Sequence, residues 1–215
     1  DPQAPVLILL HGIFSSLHTW NDWTAILSQD FRVISLDSPN FGLTGPHPEG
    51  MKRHLYSDFL NAFTDALGIQ QCYVAGNSLG GWMTWEFAAR YPHKVLKAVL
   101  LDSAGYFFIP PSGLLFMGLP LGGWLTARVV PPSGAFNAML RTTYADPGRL
   151  SDEVLNRYYR LWLRPGNRQA GARVLRFIRN RGGFNPRLIR QVKQPVLILW
   201  GKQDRWIPPA HTERF

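Results

Sequence analysis

Residues 73–82 constrain the chain most. Tyr73, Val74 and Ala75 read as the end of a strand. Trp82 to Ala89 read as a helix, and Gly76, Asn77, Ser78, Leu79 and Gly80 lie between them. A strand that turns into a helix within so few residues needs a sharp bend, and glycines on both sides of Ser78 permit one without Cβ clashes. The pattern G-x-S-x-G in that setting lifts a serine hydroxyl above the strand ends, where it is free to act as a nucleophile. The N–H of Leu79, at a helix N-terminus, is placed to face a developing negative charge. The competing reading is a small-residue turn where strand and helix pack closely.

The elements around this turn alternate. Residues 6–10 form a continuous apolar run, as a strand buried on both faces requires, and His11 and Gly12 follow. A helix is expected over 20–27 and a strand over 31–36. Residues 37–45 are a loop by their Pro, Asn and Gly content. Apolar residues at 56, 59, 60, 63 and 67 predict an amphipathic helix closed by Gly68. Strands are expected at 95–101, ending at Asp102, and at 195–200, followed by Gly201, Lys202, Gln203 and Asp204. This order predicts an α/β fold with a doubly wound, mostly parallel sheet.

Between the last two strands the alternation breaks. Residues 103–127 are apolar but interrupted by Pro110, Pro111, Pro120 and several glycines, so no membrane-spanning helix is predicted there. Residues 151–163 read as a helix started by Ser151, Asp152 and Glu153. We expect a helical cap over the carboxyl edge of the sheet, dividing the chain into 1–103, 104–190 and 191–215. The alternative is extra helices packed beside the sheet. The apolar side chains of 107–124, Phe107 and Trp124 among them, are candidates for a pocket lining or for the cap's own core.

Charge is uneven. Residues 141–193 carry 13 Lys and Arg against 3 Asp and Glu, a balance of +10, while the remainder sums to −1. A cationic face of this kind steers anionic substrates, meets an acidic membrane surface, or is simply solvated helix. No nucleic-acid module accompanies it, and no nucleic-acid partner is expected. The single cysteine, Cys72, rules out an internal disulfide and reads as buried filler rather than a reactive thiol. No His, Cys and Asp grouping has ligand spacing, so neither metal nor cofactor is expected. A cytoplasmic setting is favoured, or a membrane-associated one if an N-terminal segment precedes Asp1.

His11 and Gly12 after the first strand, the 76–80 turn, and Trp200, Gly201, Lys202, Gln203 and Asp204 after the fifth strand together resemble the α/β-hydrolase family. The likeness is to its cap-bearing esterase and lipase branch, with relatives among carbon–carbon bond hydrolases. The resemblance implies a serine hydrolase cleaving esters of apolar substrates through an acyl-enzyme. It makes Ser78 the nucleophile and Asp204 the acid, with Asp102 as runner-up. The N–H groups of Ile13 (or Phe14) and Leu79 become the oxyanion hole, and His11, Gly12, Asn77, Phe107 and Trp124 border the substrate. The alternatives are a carbon–carbon bond hydrolase or a binding protein without catalysis.

Three departures from the family pattern shape these expectations. The general base belongs after one more helix and strand, yet 11 residues follow Asp204, with His211 where a helix should begin. The chain as it stands is therefore expected to turn over poorly, and both ends look trimmed, leaving 196–200 as an exposed apolar edge. His18, His47, His54 and His93 read as surface residues. Asn40 stands where relatives more often carry Gly, and Asn tolerates the left-handed backbone that the turn needs.

Overall fold

The computed structural model describes residues 3–180 and 184–215. Residues 1–2 of the expected first segment and 181–183 of the expected cap lie outside the described residues. Five strands form one parallel sheet: β1 (Val6–Leu10), β2 (Arg32–Leu36), β3 (Cys72–Asn77), β4 (Val95–Leu101) and β5 (Val196–Leu199), in the order β2-β1-β3-β4-β5. β1, β2, β4 and β5 match their predicted ranges to within one residue at either end, and β3 runs two residues beyond Ala75 to Asn77. Continuous apolar runs bounded by turn residues are what strands covered on both faces look like.

The period-two alternation of β1 decides how the two faces are covered. Leu7 and Leu9 point to one side, where they pack with Trp20 and Ala75. The helix on this side is α1 (Asn21–Leu27), preceded by a 3-10 turn at Leu17–Trp20. Ile8 and Leu10 point to the other side, into the larger core with Trp82, Met83, Tyr56 and Leu60. This core holds α2 (Leu55–Ala66) and α3 (Leu79–Arg90). Helix α3 is buried almost all round, as the apolar and small residues on every side of it demand. Its one deeply buried acid, Glu86, is hydrogen-bonded by Ser57 at 3.2 Å and lies 2.9 Å from Nδ1 of His54. His54, expected merely at the surface, thus ties the loop before α2 to the core.

Cys72 opens β3 with no exposure at all, and burial pushes its thiol up to about 12. Against an ordinary cysteine this is about 10³-fold less thiolate at neutral pH. Native protein should therefore resist alkylation by iodoacetamide, with full single-site modification once denaturant is added. Rapid alkylation of the native state would contradict this packing.

Among the described residues six α-helices lie between β4 and β5 in sequence: α4 (Ser112–Gly118), α5 (Pro120–Arg128), α6 (Ser133–Arg141), α7 (Asp152–Leu163), α8 (Asn167–Arg179) and α9 (Pro186–Ile189). Ser151 caps α7 as its sequence predicts, its hydroxyl accepting from the N–H of Val154 at 3.3 Å. Among the described residues, no helix is long and apolar enough to cross a membrane.

Candidate active site

Strand order brings the chemistry together. Because β1 lies beside β3, the loop after Leu10 meets the turn after Asn77 at the carboxyl ends of the strands, where open α/β sheets form their crevice. Ser78 sits at the apex with φ 55° and ψ −112°, a left-handed conformation that a residue with a Cβ rarely adopts. Hydrogen bonds on both sides hold it there. Its N–H donates to Leu101 at 2.9 Å, and its carbonyl accepts from Ala104 at 3.0 Å and Trp82 at 3.2 Å.

The flanking glycines make the turn sterically feasible. A Cβ on Gly76 would run into the carbonyl of Gly80, and one on Gly80 into the carbonyls of Leu10 and His11. Gly12 closes the approach from the other side. A Cβ there would lie 3.2 Å from Oδ1 of Asn77 and 3.3 Å from Cβ of Ser78, so the loop main chain passes directly beside the serine.

Ser78, half-buried, opens into a cavity of about 720 Å³. Gly12, Ile13 and Asn77 line it together with Asp102 and Asp204. The two aspartates converge because β4 and β5 are neighbours. Oδ1 of Asp102 accepts from Gly201 N–H at 2.7 Å, while Oδ1 of Asp204 accepts from Trp206 at 2.7 Å and Ile207 at 3.0 Å. Burial pushes the Asp102 carboxyl above the usual carboxylate range, with the Asp204 charge adding to it and the Gly201 hydrogen bond opposing. Asp102 also has a positive φ of 46°.

The side chains of the other expected site residues lie off the cavity. Phe14 and Leu79 are buried and their side chains do not line the cavity. Leu79 is the first residue of α3, where helical N–H groups have no acceptor within the helix. Phe14, with φ 56°, packs edge-on against Phe41 and covers Gly171 of α8 so closely that a Cβ there would enter the Phe14 ring. His11 is fully buried behind the site. Its Nε2 accepts from Ser38 N–H at 3.0 Å while Nδ1 bonds the Gly12 carbonyl at 2.7 Å, and burial lowers its pKa. It braces the loop as a neutral imidazole and does not line the cavity. Phe107 and Trp124 lie outside the cavity as well, on the outer surface.

No histidine lines the cavity among the described residues. His211 is buried against the rings of Tyr106, Phe108 and Trp200, and burial lowers its pKa, with Arg214 adding to the effect. Nor is there a cluster of three or more His, Cys, Asp or Glu able to hold a metal ion among the described residues.

Several lining residues were not singled out from sequence. Tyr158 of α7 accepts a hydrogen bond from Ser15 Oγ and donates to Thr19 Oγ1, both at 3.1 Å, joining α7 to the loop after β1. Trp20, Trp23, Leu140, Tyr144 and Trp206 complete much of the apolar wall. The spacing of Leu155, Tyr158 and Trp162 identifies a buried helix face. It carries no sign of what that face meets.

A family model described as "alpha/beta hydrolase fold" matches residues 5–215. The 2-hydroxy-6-oxo-2,4-heptadienoate hydrolase of Pseudomonas putida is 30% identical over 94% of this chain and 73% of its own length. The 2-hydroxymuconate semialdehyde hydrolase of a Pseudomonas species is 28% identical over 94% of this chain and 71% of its own. Among solved structures, a protein of Acinetobacter baumannii AYE provisionally named a lipase superposes with a TM-score of 0.79 at 26% identity. The match covers 100% of this chain and 72% of that one.

Proposed function

This chain belongs to the α/β-hydrolase fold family, and from that premise we propose that it is a serine hydrolase cleaving neutral carboxylic esters through an acyl-enzyme at Ser78. The strained backbone of Ser78 at the floor of the cavity carries this reading. In the proposed reaction Ser78 Oγ attacks the ester carbonyl. The N–H groups of Leu79 and Ile13 face the oxygen that becomes negative. The alkoxide leaves with a proton, and water then releases the acid.

The serine proton has to be taken up as the bond forms, and Asp102 and Asp204 are weak acceptors for it. Turnover by these 215 residues is therefore expected to be slow. An ester is favoured over an anionic ketone because the charged groups of the lining are two carboxylates and one lysine, Lys202. A substrate carrying carboxylates meets net repulsion there. The second reading, cleavage of a carbon–carbon bond, is supported by the relatives that act on 2-hydroxy-6-oxo-dienoates.

The test is a paired assay with p-nitrophenyl butyrate and 2-hydroxy-6-oxohepta-2,4-dienoate. Ester hydrolysis above the buffer rate, with the dienoate unchanged, supports the proposal. The reverse result establishes the second reading, and binding of both without turnover would sink both.

A further inference from the structure

Helix α5 is built inside out. In a soluble amphipathic helix the large apolar side chains face the core. Helix α4 does bury Leu114 and Met117, but the buried positions of α5 are glycines. Gly118, Gly122 and Gly123 are buried, and a Cβ on Gly118 would lie 3.5 Å from Cβ of Leu175. A Cβ on Gly123 would lie 3.4 Å from Cβ of Ala172, both partners being on α8. Small residues let the backbones approach, and Leu121 and Trp124 of α5 are left outside. Leu121 is 65% exposed and Trp124 51%, with Leu115, Phe116 and Leu119 also exposed, and Phe107 at 80% and Ile109 at 75% precede them. So many large apolar side chains left exposed within residues 107–124 are unusual for a surface that meets water alone.

Its charged surroundings are of one sign. No Asp or Glu occurs in residues 103–145 or 154–203. Arg128 stacks over the Trp124 ring at 4.6 Å. Arg168 of α8 donates to the carbonyls of Thr126 and Val129 at the end of α5, at 3.0 and 2.8 Å. Arg176 reaches to within 3.5 Å of the Cβ position of Gly123, and Arg173 is exposed on the same helix. A groove of about 300 Å³ opens beside the patch, lined by Phe116, Leu125, Val129 and Met139. Its one hydroxyl, on Thr126, is already bonded to the Gly122 carbonyl at 2.8 Å.

From this combination we infer that the α4–α5 face, flanked by α8, docks on an anionic lipid bilayer, with its large apolar side chains entering the interface and the arginines meeting headgroups. Apolar projection sets the binding strength and the cations select the anionic surface. A protein partner would be expected to supply acids of fixed position. Exposed apolar side chains with arginines on the neighbouring α8 and at the end of α5 fit a fluid anionic surface better. This inference is independent of the chemistry proposed for Ser78.

Co-sedimentation with phosphatidylcholine vesicles, with and without phosphatidylglycerol, tests it. The protein should partition at least about tenfold more strongly onto the anionic vesicles, and added salt should weaken this. Leu121→Ser with Trp124→Ser should lower partitioning on the order of tenfold or more, while Arg173→Gln with Arg176→Gln should reduce the preference for phosphatidylglycerol. All four positions are exposed, and unchanged circular dichroism verifies that the variants fold. Equal partitioning onto both vesicle types, or no loss in the Leu121 and Trp124 variant, would overturn the inference. So would a dimer in sedimentation velocity that dissociates in that variant without any vesicle binding, since a second copy would then be the occupant.

Discussion

A fluorophosphonate probe should attach to the native protein slowly and at one site, and Ser78→Ala should reduce capture at least about a hundredfold. Single-site capture is expected because the strained turn presents the Ser78 hydroxyl to the cavity. The rate is low because the lining groups that can accept its proton are carboxylates. The substitution leaves the fold alone. Ser78 is held by main-chain bonds to Leu101, Ala104 and Trp82, which alanine keeps, and its hydroxyl has no hydrogen-bond partner among the described residues. Stability should change by less than about 1 kcal/mol. Intact-mass spectrometry of wild type and variant over several hours makes the measurement. Equal capture in the variant would place the nucleophile elsewhere, and a variant that loses its fold would mean that the hydroxyl is structural.

The second large effect is on stability. Gly80→Ala drives a Cβ into the main-chain carbonyls of Leu10 and His11. Those atoms belong to the end of a central strand, paired with β2 and β3 on its two sides, so they have nowhere to go. The expected cost is about 3 kcal/mol or more, the upper range for overpacking. Gly134→Ala is the control. It is helical and its Cβ meets open space, so the change should be neutral or stabilise by up to about 1 kcal/mol. Urea unfolding of both variants decides the matter. A Gly80→Ala midpoint close to wild type would mean that α3 does not start hard against β1.

Much of this architecture was legible in the sequence because local chemistry settled it. The apolar run of 6–10, the Ser151 cap and the Gly68 stop each act within a few residues, and each element lies where its pattern put it. Asn40 indeed takes a left-handed φ of 80°. The site was legible only where strand ends carried it. Ser78, Asp102 and Asp204 each close a strand or follow one, so a parallel sheet brings them to one edge. Trp124 was misplaced for a different reason. Hydrophobicity signals that a side chain avoids water, and the rule that it therefore points inward fails when glycines take the inward positions of α5. Phe107 lies in the irregular segment before α4, where no helical or strand period says which way a side chain points. Tyr158 escaped notice because its partners, Ser15 and Thr19, lie about 140 residues away in sequence.

The contact between Phe14 and Gly171 ties two parts of the molecule mechanically. Phe14 follows Ile13 in the loop beside the serine, and Gly171 belongs to the helix that carries the outer arginines. With the ring seated directly on the backbone there is no slack between them. Any tilt of that helix toward the sheet must displace the loop as well, so the protein's outer face and the floor of its cavity are geared together.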